Sequence, residues 1–506
     1  MAGDVEVLIA GAGPTGLTLA LWLSHLGVKL RIIDRAPQQA STSRALAVHA
    51  RTLEFHDQIG LADAAVAAGL EFGAVRLWAK GVQRARAGFG ELGAGVSPFP
   101  FVLILPQDAH EQLMIEALAA RGITVERPVD LRDFQIGDDG VAVRLGHAGG
   151  AEERIEAAFL AGCDGAHSTV RTTLAASFQG GTYSRMFYVA DVEAAGPVIN
   201  GDLNICLDEG DFLAVFPLQG DGRARLVGDL ERIGADAFTF DDVASAVIDR
   251  LGLEVSRVNW FSTYRVHHRV AETWRRGPVF VLGDAAHVHS PVGGQGMNTG
   301  IGDAVNLAWK LAAVLRGQAP APLLDTFQRE RIAFARRLVA TTDMMFQAVS
   351  RDDAASRFLR LNVVPTALPM LAKSTTFKRW MFETLSQTAI NYRGKGLAEA
   401  AAGEVRGGDR LPWVEGSANY APLKSLAWTG QVHGEPEAGV AEACAAAGVP
   451  LSVFPWSEAA ARAGFHSGAF HLVRPDGYVA LAAARGAPAA LASFLSRRGL
   501  KPVAPR

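Results

Sequence analysis

Three short glycine-containing segments, far apart in the chain and two of them with an aspartate, have residue types that suit the phosphates and hydroxyls of a ligand. The first contains Gly11, Gly13 and Gly16, between the apolar run 5–10 and a segment with helical periodicity. In that setting the first glycine permits a tight turn, the second lets the backbone approach a pyrophosphate, and the third lets the helix pack on the strand. The positive end of the helix faces the phosphates. This segment therefore predicts a dinucleotide site, without distinguishing FAD from NAD.

Residues within this segment and after it complete the predicted site. Pro14 and Thr15 open the helix, and Asp34, followed by Arg35, ends the second apolar run. At that position a carboxylate accepts hydrogen bonds from ribose hydroxyls. The stretch 5–33 thus predicts a strand, a helix and a second strand in succession.

The second and third segments lie further along the chain. Asp164-Gly165 follows the predicted strand 157–161, and Gly283-Asp284 follows the predicted strand 279–282. The glycine-rich stretch 291–300 then leads into a helix. Backbone N–H groups at the start of such a helix favour negative charge on a bound group. A loop of this length and composition predicts a ligand beside the helix.

In this order and at these separations, the three segments resemble the FAD site of the class A flavin monooxygenases related to para-hydroxybenzoate hydroxylase. The resemblance covers about residues 5–316 and implies FAD as the cofactor. It implies that Asp284 bonds the ribityl side of FAD, and that Asp164-Gly165 serves both FAD and NAD(P)H. Arg44 resembles the family arginine that reaches the pyrophosphate, and Gln107 resembles a glutamine near the flavin chain.

The predicted cofactor-binding residues lie in these segments or beside them: Gly11, Gly13, Pro14, Thr15, Gly16, Asp34, Arg35, Arg44, Gln107, Asp164, Gly165, Gly283, Asp284, Gly296, Met297 and Asn298. The resemblance places the flavin ring beside loop residues Pro291, Gly293, Gly294, Gln295 and Gly296. No catalytic side chain is assigned, because the flavin carries the chemistry.

The implied reaction is the hydroxylation of a phenolic or polyketide-like aromatic substrate. NAD(P)H, with NADPH favoured, reduces FAD; O2 then gives a C4a-hydroperoxyflavin, whose terminal oxygen is transferred to the ring. The substrate is expected between the central strands and the loop, lined by Phe212, Val215, Phe216, Pro217 and Pro291. Alternation along a strand predicts that only some of these side chains point inward.

Other activities remain open on the same scaffold. Related FAD monooxygenases perform epoxidation, Baeyer–Villiger insertion or antibiotic inactivation. A non-oxygenating NAD(P)H reductase and a non-catalytic flavin-binding protein are further alternatives. The chain lacks a second Gly-x-Gly-x-x-Gly after a strand, which counts against reductases with two dinucleotide folds.

The histidines could suggest a metal. His287 and His289 are separated by one residue, but no third ligand with suitable spacing is evident, so no metal is expected. A role in lining the site or in the core fits these two histidines better. His267 and His268 are ambiguous in the same way.

Composition limits the partners. The 506 residues include 49 Lys and Arg against 52 Asp and Glu, so nucleic acid is not an expected partner. The uncharged stretch 7–28 contains several glycines and a proline, which favours a buried strand, turn and helix over a membrane span. Cys163, Cys206 and Cys444 form no CxxC, which fits a reducing, cytoplasmic location. The expected partners are an aromatic substrate, O2 and NAD(P)H, and a homodimer is compatible with the sequence.

The predicted elements indicate an α/β fold. A Rossmann-like FAD-binding domain with a helical extension is expected at 1–72, 105–185 and 276–395, interrupted by a β-rich substrate domain at 73–104 and 186–275.

The C-terminal region 403–506 is similar to the thioredoxin-like extra domain of phenol and polyketide hydroxylases. Gly403–Pro412 is expected to be a linker, and residues 474–477 are expected to form a hairpin turn. Because Cys444 is the only cysteine of this region, dithiol chemistry is not expected there. Packing or oligomer contact is the expected role of this domain.

Overall fold

The structure is a computed structural model. It describes residues 5–39, 45–88, 93–207, 212–230, 239–243, 246–290, 292–350, 363 and 374–504. Two predicted site residues, Arg44 and Pro291, lie outside these ranges. No helix within them is long and apolar enough to cross a membrane.

The helices are distributed along the whole chain. They are α1 (Pro14–His25), α2 (Ala50–Gln58), α3 (Ala62–Ala68), α4 (Gln107–Ala119), α5 (Thr169–Thr173), α6 (Phe240–Val243), α7 (Ala246–Arg250), α8 (Gly296–Leu315), α9 (Asp325–Ser350), α10 (Thr375–Leu385), α11 (Val440–Ala446), α12 (Glu458–Arg462) and α13 (Ala487–Arg498).

The strands form several separate sheets. They are β1 (Val5–Ala10), β2 (Leu30–Ile33), β3 (Ala47–Val48), β4 (Leu70–Glu71), β5 (Ala74–Ala79), β6 (Val82–Gly88), β7 (Leu103–Ile104), β8 (Val125–Glu126), β9 (Val129–Ile136), β10 (Val141–His147), β11 (Glu152–Gly162), β12 (Phe178–Ala195), β13 (Leu203–Leu207), β14 (Phe212–Pro217), β15 (Arg223–Leu230), β16 (Glu254–Ala271), β17 (Arg275–Arg276), β18 (Val279–Val281), β19 (His287–Val288), β20 (Ala401–Ala402), β21 (Val405–Arg406), β22 (Thr429–His433), β23 (Leu451–Phe454), β24 (Phe470–Val473) and β25 (Val479–Ala483).

The first sheet carries the N-terminal glycine turn. Strand β1 lies between β2 and β11 and is parallel to both, and β18 is parallel to β11 on its other side. Val7, Leu8 and Ile9 are completely buried, because helices cover both faces of a parallel sheet. Helix α1 packs against α8 and α4. The carboxyl ends of β1, β11 and β18 therefore bring the three glycine-containing segments to one edge.

The second sheet is long and mainly antiparallel. Its order is β19-β16-β12-β15-β14-β13-β5-β6, and only the pair β13–β5 is parallel within it. One face buries Leu226, Val215 and Tyr188 against Ile248 and Leu251. The opposite face meets the first part of the chain, since Phe216 packs against the apolar cluster that contains Leu46 and Ala47.

The C-terminal region forms a four-stranded sheet in the order β23-β22-β24-β25. Strands β22 and β23 are parallel and joined through α11, whereas β24 pairs antiparallel with β22 and β25. The expected linker Gly403–Pro412 is not a free connection: β20 and β21 pair as a hairpin within and beside it. Its backbone also bonds to the sheet, since Val479 N–H donates to the carbonyl of Asp409. The prediction of a linker was therefore wrong.

Candidate FAD site

The first glycine turn is closely packed except at one position. Gly11 has a φ of +103°, and a Cβ built on it would overlap the carbonyl of Cys163. A Cβ on Gly16 would overlap the carbonyl of Gly11. At Gly13, by contrast, a Cβ would meet nothing within 4 Å. Gly11 and Gly16 are thus required by the protein's own packing, while Gly13 borders open space at the start of α1.

Thr15 joins the first segment to the third. A Cβ built on Gly283 or on Gly300 would overlap the hydroxyl oxygen of Thr15. Two glycines from the third region therefore allow the start of α1 to approach both the Gly283 turn and helix α8. Together with the contact of Gly11 with Cys163, this brings all three segments predicted from the sequence to one place.

Asp34 lies directly behind the first turn. Its carboxylate accepts hydrogen bonds from the N–H groups of Ala12 and Ala36, each at 2.8 Å. Arg127 lies 3.3 Å from the same carboxylate. The neighbouring Arg35 is exposed. Asp34 is therefore held in one orientation, with further lone pairs for ribose hydroxyls, and Arg127 is a nearby cation that sequence reasoning missed.

Asp164 shapes its own turn. It accepts hydrogen bonds from the Ser168 hydroxyl at 2.5 Å and from the Val170 N–H at 3.1 Å. Burial raises the pKa of this carboxyl group. The next residue, Gly165, has a φ of +77° and open space at its Cβ position. Asp164 thus fixes the entry to helix α5, and Gly165 presents its backbone to the site.

Arg171 links the second segment to the third. It donates to the carbonyls of Ala166 and Ala285, at 2.8 Å and 2.9 Å, and its guanidinium lies 4.0 Å from the centre of the Phe178 ring. The two loops on either side of the site are therefore connected by a single largely buried cation.

The Gly283-Asp284 turn has a buried anchor. Asp303 on α8 accepts hydrogen bonds from Gly283 N–H at 3.1 Å and Arg331 Nε at 2.6 Å, and bonds with His287 Nε2 at 2.8 Å. Burial alone raises the pKa of Asp303, but Arg331 and His287 together bring it below its ordinary value. Asp284 itself is exposed. The turn is fixed from beneath while Asp284 remains accessible.

Asn298 holds the glycine-rich loop by its side chain. Its amide group donates to the carbonyls of Ala47 and Gly294, at 2.8 Å and 2.9 Å. Its oxygen accepts from His49 N–H at 2.9 Å and from the Thr52 hydroxyl at 2.8 Å. These four bonds use the main capacity of the amide. Asn298 is therefore a positioning residue whose backbone alone is available to a cofactor.

The loop itself is built for close approach. Gly293 and Gly294 have φ values of +79° and +62°, and His49 Nε2 lies 3.0 Å from the carbonyl of Gly293. Burial lowers the pKa of His49 to about 4, so this imidazole is neutral at pH 7. Gln295 is buried and its carbonyl accepts from the Thr299 N–H at 2.9 Å.

Helix α8 begins at this loop. Because its first intrahelical bond is made by Thr299, the N–H groups of Gly296, Met297 and Asn298 point away from the helix body. The first turn carries no acidic residue. The 20-residue helix therefore presents partial positive charge beside the loop, as the first turn of α1 does beside Gly13. Both features suit an anionic dinucleotide.

Gln107 begins helix α4. Its side chain donates to Glu111 at 2.7 Å, and its N–H donates to the carbonyl of Ala45 at 3.0 Å. Burial raises the pKa of Glu111. Gln107 thus lies beside the segment that Asn298 contacts, with its amide oxygen available for another donor.

The predicted substrate-lining residues separate by face. Phe216 packs against the apolar cluster that contains Leu46, Ala47 and Phe382, and Gly294 of the glycine-rich loop closely approaches Ala47. Val215 is 1% exposed and packs on the opposite face, in the core of the second sheet. By alternation Phe212 shares the side of Phe216, whereas Pro217 shares that of Val215. Val215 is therefore a core residue and does not face the loop.

The structure also places His287 and His289, the two histidines that could have suggested a metal. His287 is buried and stacks on Trp274, with ring centres 5.2 Å apart. Burial lowers the pKa of His289 to about 4. Among the described residues, no group of three or more His, Cys, Asp or Glu side chains could hold a metal ion.

Sequence reasoning missed a buried cluster of charges behind the site. Glu330 on α9 accepts hydrogen bonds from Lys310 and Asn306 of α8, each at 2.8 Å, and from Arg474 of the C-terminal region. All four side chains are buried. These residues lie far apart in the chain and follow no motif, so the only sequence signal was the presence of Lys310 in the largely apolar helix α8.

Comparisons with known proteins agree with this geometry. Residues 4–342 match the family model described as an FAD binding domain. The 6-methylpretetramide 4-monooxygenase of Streptomyces rimosus is 41% identical over 381 residues, which are 73% of this chain and 65% of that protein. A flavin-dependent monooxygenase of Mycobacteroides abscessus is 32% identical over 94% of this chain and 96% of its own length.

A solved structure extends the likeness over the whole chain. The ternary complex of aklavinone-11 hydroxylase with FAD and aklavinone has a TM-score of 0.80 and 27% identity, and 99% of each chain is covered. The predicted fold class and the predicted FAD cofactor are confirmed. The chain thus belongs to the FAD-dependent aromatic hydroxylases, the class A flavin monooxygenases.

Proposed function

We propose that this monooxygenase hydroxylates a polycyclic aromatic compound of the polyketide type. In the balanced reaction, Ar–H, O2, NAD(P)H and a proton yield Ar–OH, water and NAD(P)+. The observation that carries the proposal is the meeting of Thr15, Gly283 and Gly300 beside the open position at Gly13. The substrates named for relatives, 6-methylpretetramide and aklavinone, support the substrate class.

The residues at the site would divide the binding of FAD among them. Bound and reduced FAD supplies the activation of O2. The start of α1 and Gly13 would receive the pyrophosphate, Asp34 the ribose, and Asp284 the ribityl chain. The N–H groups of Gly296 and Met297 would face the flavin edge that becomes negative on reduction. Asn298 would keep the loop against the ring.

NAD(P)H is proposed to dock beside the Asp164-Gly165 turn, where several basic side chains gather. His267 Nδ1 lies 2.7 Å from the Thr182 hydroxyl, to which Arg269 donates at 3.2 Å. Burial, followed by the positive fields of Arg269 and His167, lowers the pKa of His267. A neutral imidazole among cations suits a phosphate-bearing ligand, which would restore its proton.

The domain division and the role of the C-terminal region also remain proposals. The ranges 1–72, 105–185 and 276–395 would form the FAD-binding domain, and 73–104 with 186–275 the substrate domain. We propose that residues 403–506 form a thioredoxin-like third domain. The strand order β23-β22-β24-β25, with α11 between the parallel strands β22 and β23, supports this proposal. The burial of the thiols of Cys163 and Cys444 supports the proposal of a reducing, cytoplasmic location.

The deciding experiment measures product as well as cofactor. Purified protein is analysed for bound FAD, and NADPH and NADH oxidation is then followed with a panel of phenols and polycyclic aromatic ketones under 18O2. We expect substrate-stimulated oxidation and one labelled oxygen atom in the product. Oxidation without incorporation would indicate a reductase, and absence of FAD would overturn the assignment of the site.

A further inference from the structure

An ion pair lies on the face of the second sheet that is directed toward the glycine-rich loop. Arg225 on β15 donates to both carboxylate oxygens of Asp191 on β12, from Nε at 2.6 Å and from Nη2 at 2.8 Å. The arginine side chain is 2% exposed. Such burial of a charge pair is costly unless every donor is used.

The pair belongs to one row across the sheet. Phe216 is paired with Arg225, Arg225 with Asp191, and Asp191 with Trp260. Paired residues of neighbouring strands project from the same face. Phe216 packs against the apolar cluster that contains Ala47, the residue that Gly294 of the glycine-rich loop approaches. Arg225 therefore faces the side of the sheet on which this loop lies.

Arg225 has one donor group left over. Its Nη1 is buried and has no hydrogen-bond partner, although Nε and Nη2 are both used by Asp191. A guanidinium presents five N–H donors in a fixed plane, so the orientation imposed by Asp191 also fixes Nη1. Buried donors are normally paired, so an acceptor supplied by a ligand would complete the hydrogen bonding of Nη1.

The surroundings define the chemistry of that acceptor. The Arg225 guanidinium lies 5.5 Å from the centre of the Trp260 ring, and Phe216 follows on the next strand. Two aromatic side chains flank the donor, which suits a flat ring system. Asp191 already balances the positive charge, so the fitting acceptor is a ketone or phenol oxygen rather than a free anion.

We propose that Arg225, oriented by Asp191, is a specificity-determining residue that donates from Nη1 to a ring oxygen of the aromatic substrate. This proposal rests on the proposed function, and it names an oxygen-bearing ring as the feature recognised. Arg225 holds the substrate and takes no part in transferring oxygen.

The test compares two flat ligands in the FAD-loaded protein. Dissociation constants for 1,8-dihydroxyanthraquinone and for anthracene are measured from the change in flavin absorbance, in wild type and Arg225→Met. We expect the substitution to weaken anthraquinone binding about 10- to 100-fold and anthracene binding less than about threefold, as for the loss of one hydrogen bond to a charged donor. The matched control is Arg76→Met, which breaks an ion pair with Asp202 in the same sheet and should change neither constant.

Further variants separate recognition from folding. Arg225→Lys keeps the charge but lacks Nη1, and should lose the same discrimination at unchanged FAD content. Asp191→Asn keeps the shape of the pair and should lose part of the discrimination between the two ligands. Equal effects on both ligands, or no anthraquinone binding by wild type, would overturn the inference. Tight, Arg225-dependent binding without hydroxylated product would instead overturn only the proposed reaction.

Discussion

Arg474, in the turn between β24 and β25, donates hydrogen bonds to both carboxylate oxygens of Glu330 on α9, at 2.8 Å and 3.1 Å. Both side chains are completely buried. Glu330 also bonds to Lys310 and Asn306 on α8, the helix that begins at the glycine-rich loop. Glu330 is therefore one buried carboxylate that connects the C-terminal region to helix α8, at whose start the glycine-rich loop lies.

Replacing Arg474 with methionine should lower the free energy of unfolding by about 3–5 kcal/mol, because Glu330 would lose one of its buried cations and Asp476 would lose its guanidinium partner. Arg474→Lys keeps the charge without the planar fork and should lose about 1–2 kcal/mol. Urea unfolding of the FAD-loaded protein measures both. The control is Arg497→Met, which breaks an exposed ion pair with Glu399 and should lower the free energy of unfolding only slightly. An equally small loss in Arg474→Met would contradict the prediction.

Gly13 and Gly11 should respond differently to alanine. Gly13 has a φ of −80° and open space at its Cβ position, so Gly13→Ala should fold normally but meet the pyrophosphate. We expect FAD affinity to fall roughly tenfold or more, about 1.4 kcal/mol or more. Gly11→Ala should impair folding itself, because of its positive φ and the overlap with Cys163. Fluorescence titration with FAD and thermal unfolding without FAD measure the two effects. Unchanged FAD affinity in Gly13→Ala would show that the cofactor lies elsewhere.

Acid should destabilise the protein well above the range in which carboxylates titrate. Burial lowers the pKa of His49, His110, His289 and His433 to about 4, and that of His471 to about 3, against about 6.5 when unfolded. Between pH 6.5 and 4 the unfolded chain binds more protons, so stability falls as the pH is lowered through that window. We expect the Tm to be nearly constant from pH 8 to 7 and to drop steeply below 6.5. The control His471→Phe should show a shallower drop, and a Tm independent of pH down to 4 would refute the burial of these imidazoles.

The cysteines should be unreactive in the folded protein. Cys163, Cys206 and Cys444 are all buried, and burial raises the pKa of the Cys163 thiol and brings that of Cys444 to about 11. Thiolates, the reactive form, are therefore scarce at pH 7. We expect no rapid reaction with a disulfide reagent in the native state and three equivalents in denaturant. Cys444→Ala should retain turnover, and its inactivity would argue for a redox role of the C-terminal region.

Part of the site could be predicted because its determinants are local. Gly11, Gly13 and Gly16 follow a buried strand and open a helix, and each glycine has a physical reason that depends on its immediate neighbours. Asp34 ends the adjacent strand, where the parallel sheet places it behind the turn. The family resemblance then placed the remaining motifs at the same edge.

Other features depend on contacts between distant residues. Asn298 was predicted to bind the cofactor, but its side chain is occupied by residues near position 50. Val215 was predicted to line the substrate, yet the apolar alternation of β14 does not say which face meets which neighbour. The bond between Arg474 and Glu330 spans 144 residues and has no sequence pattern.

Thr15 is the shared neighbour of Gly283 and Gly300, and no side chain fits at either glycine while Thr15 stays in place. The start of helix α1 therefore packs closely against the Gly283 turn and helix α8. In building hybrids of related hydroxylases, the N-terminal turn cannot be taken from one parent and helix α8 from another without regard to this fit. Thr15, Gly283 and Gly300 should therefore be taken from the same parent.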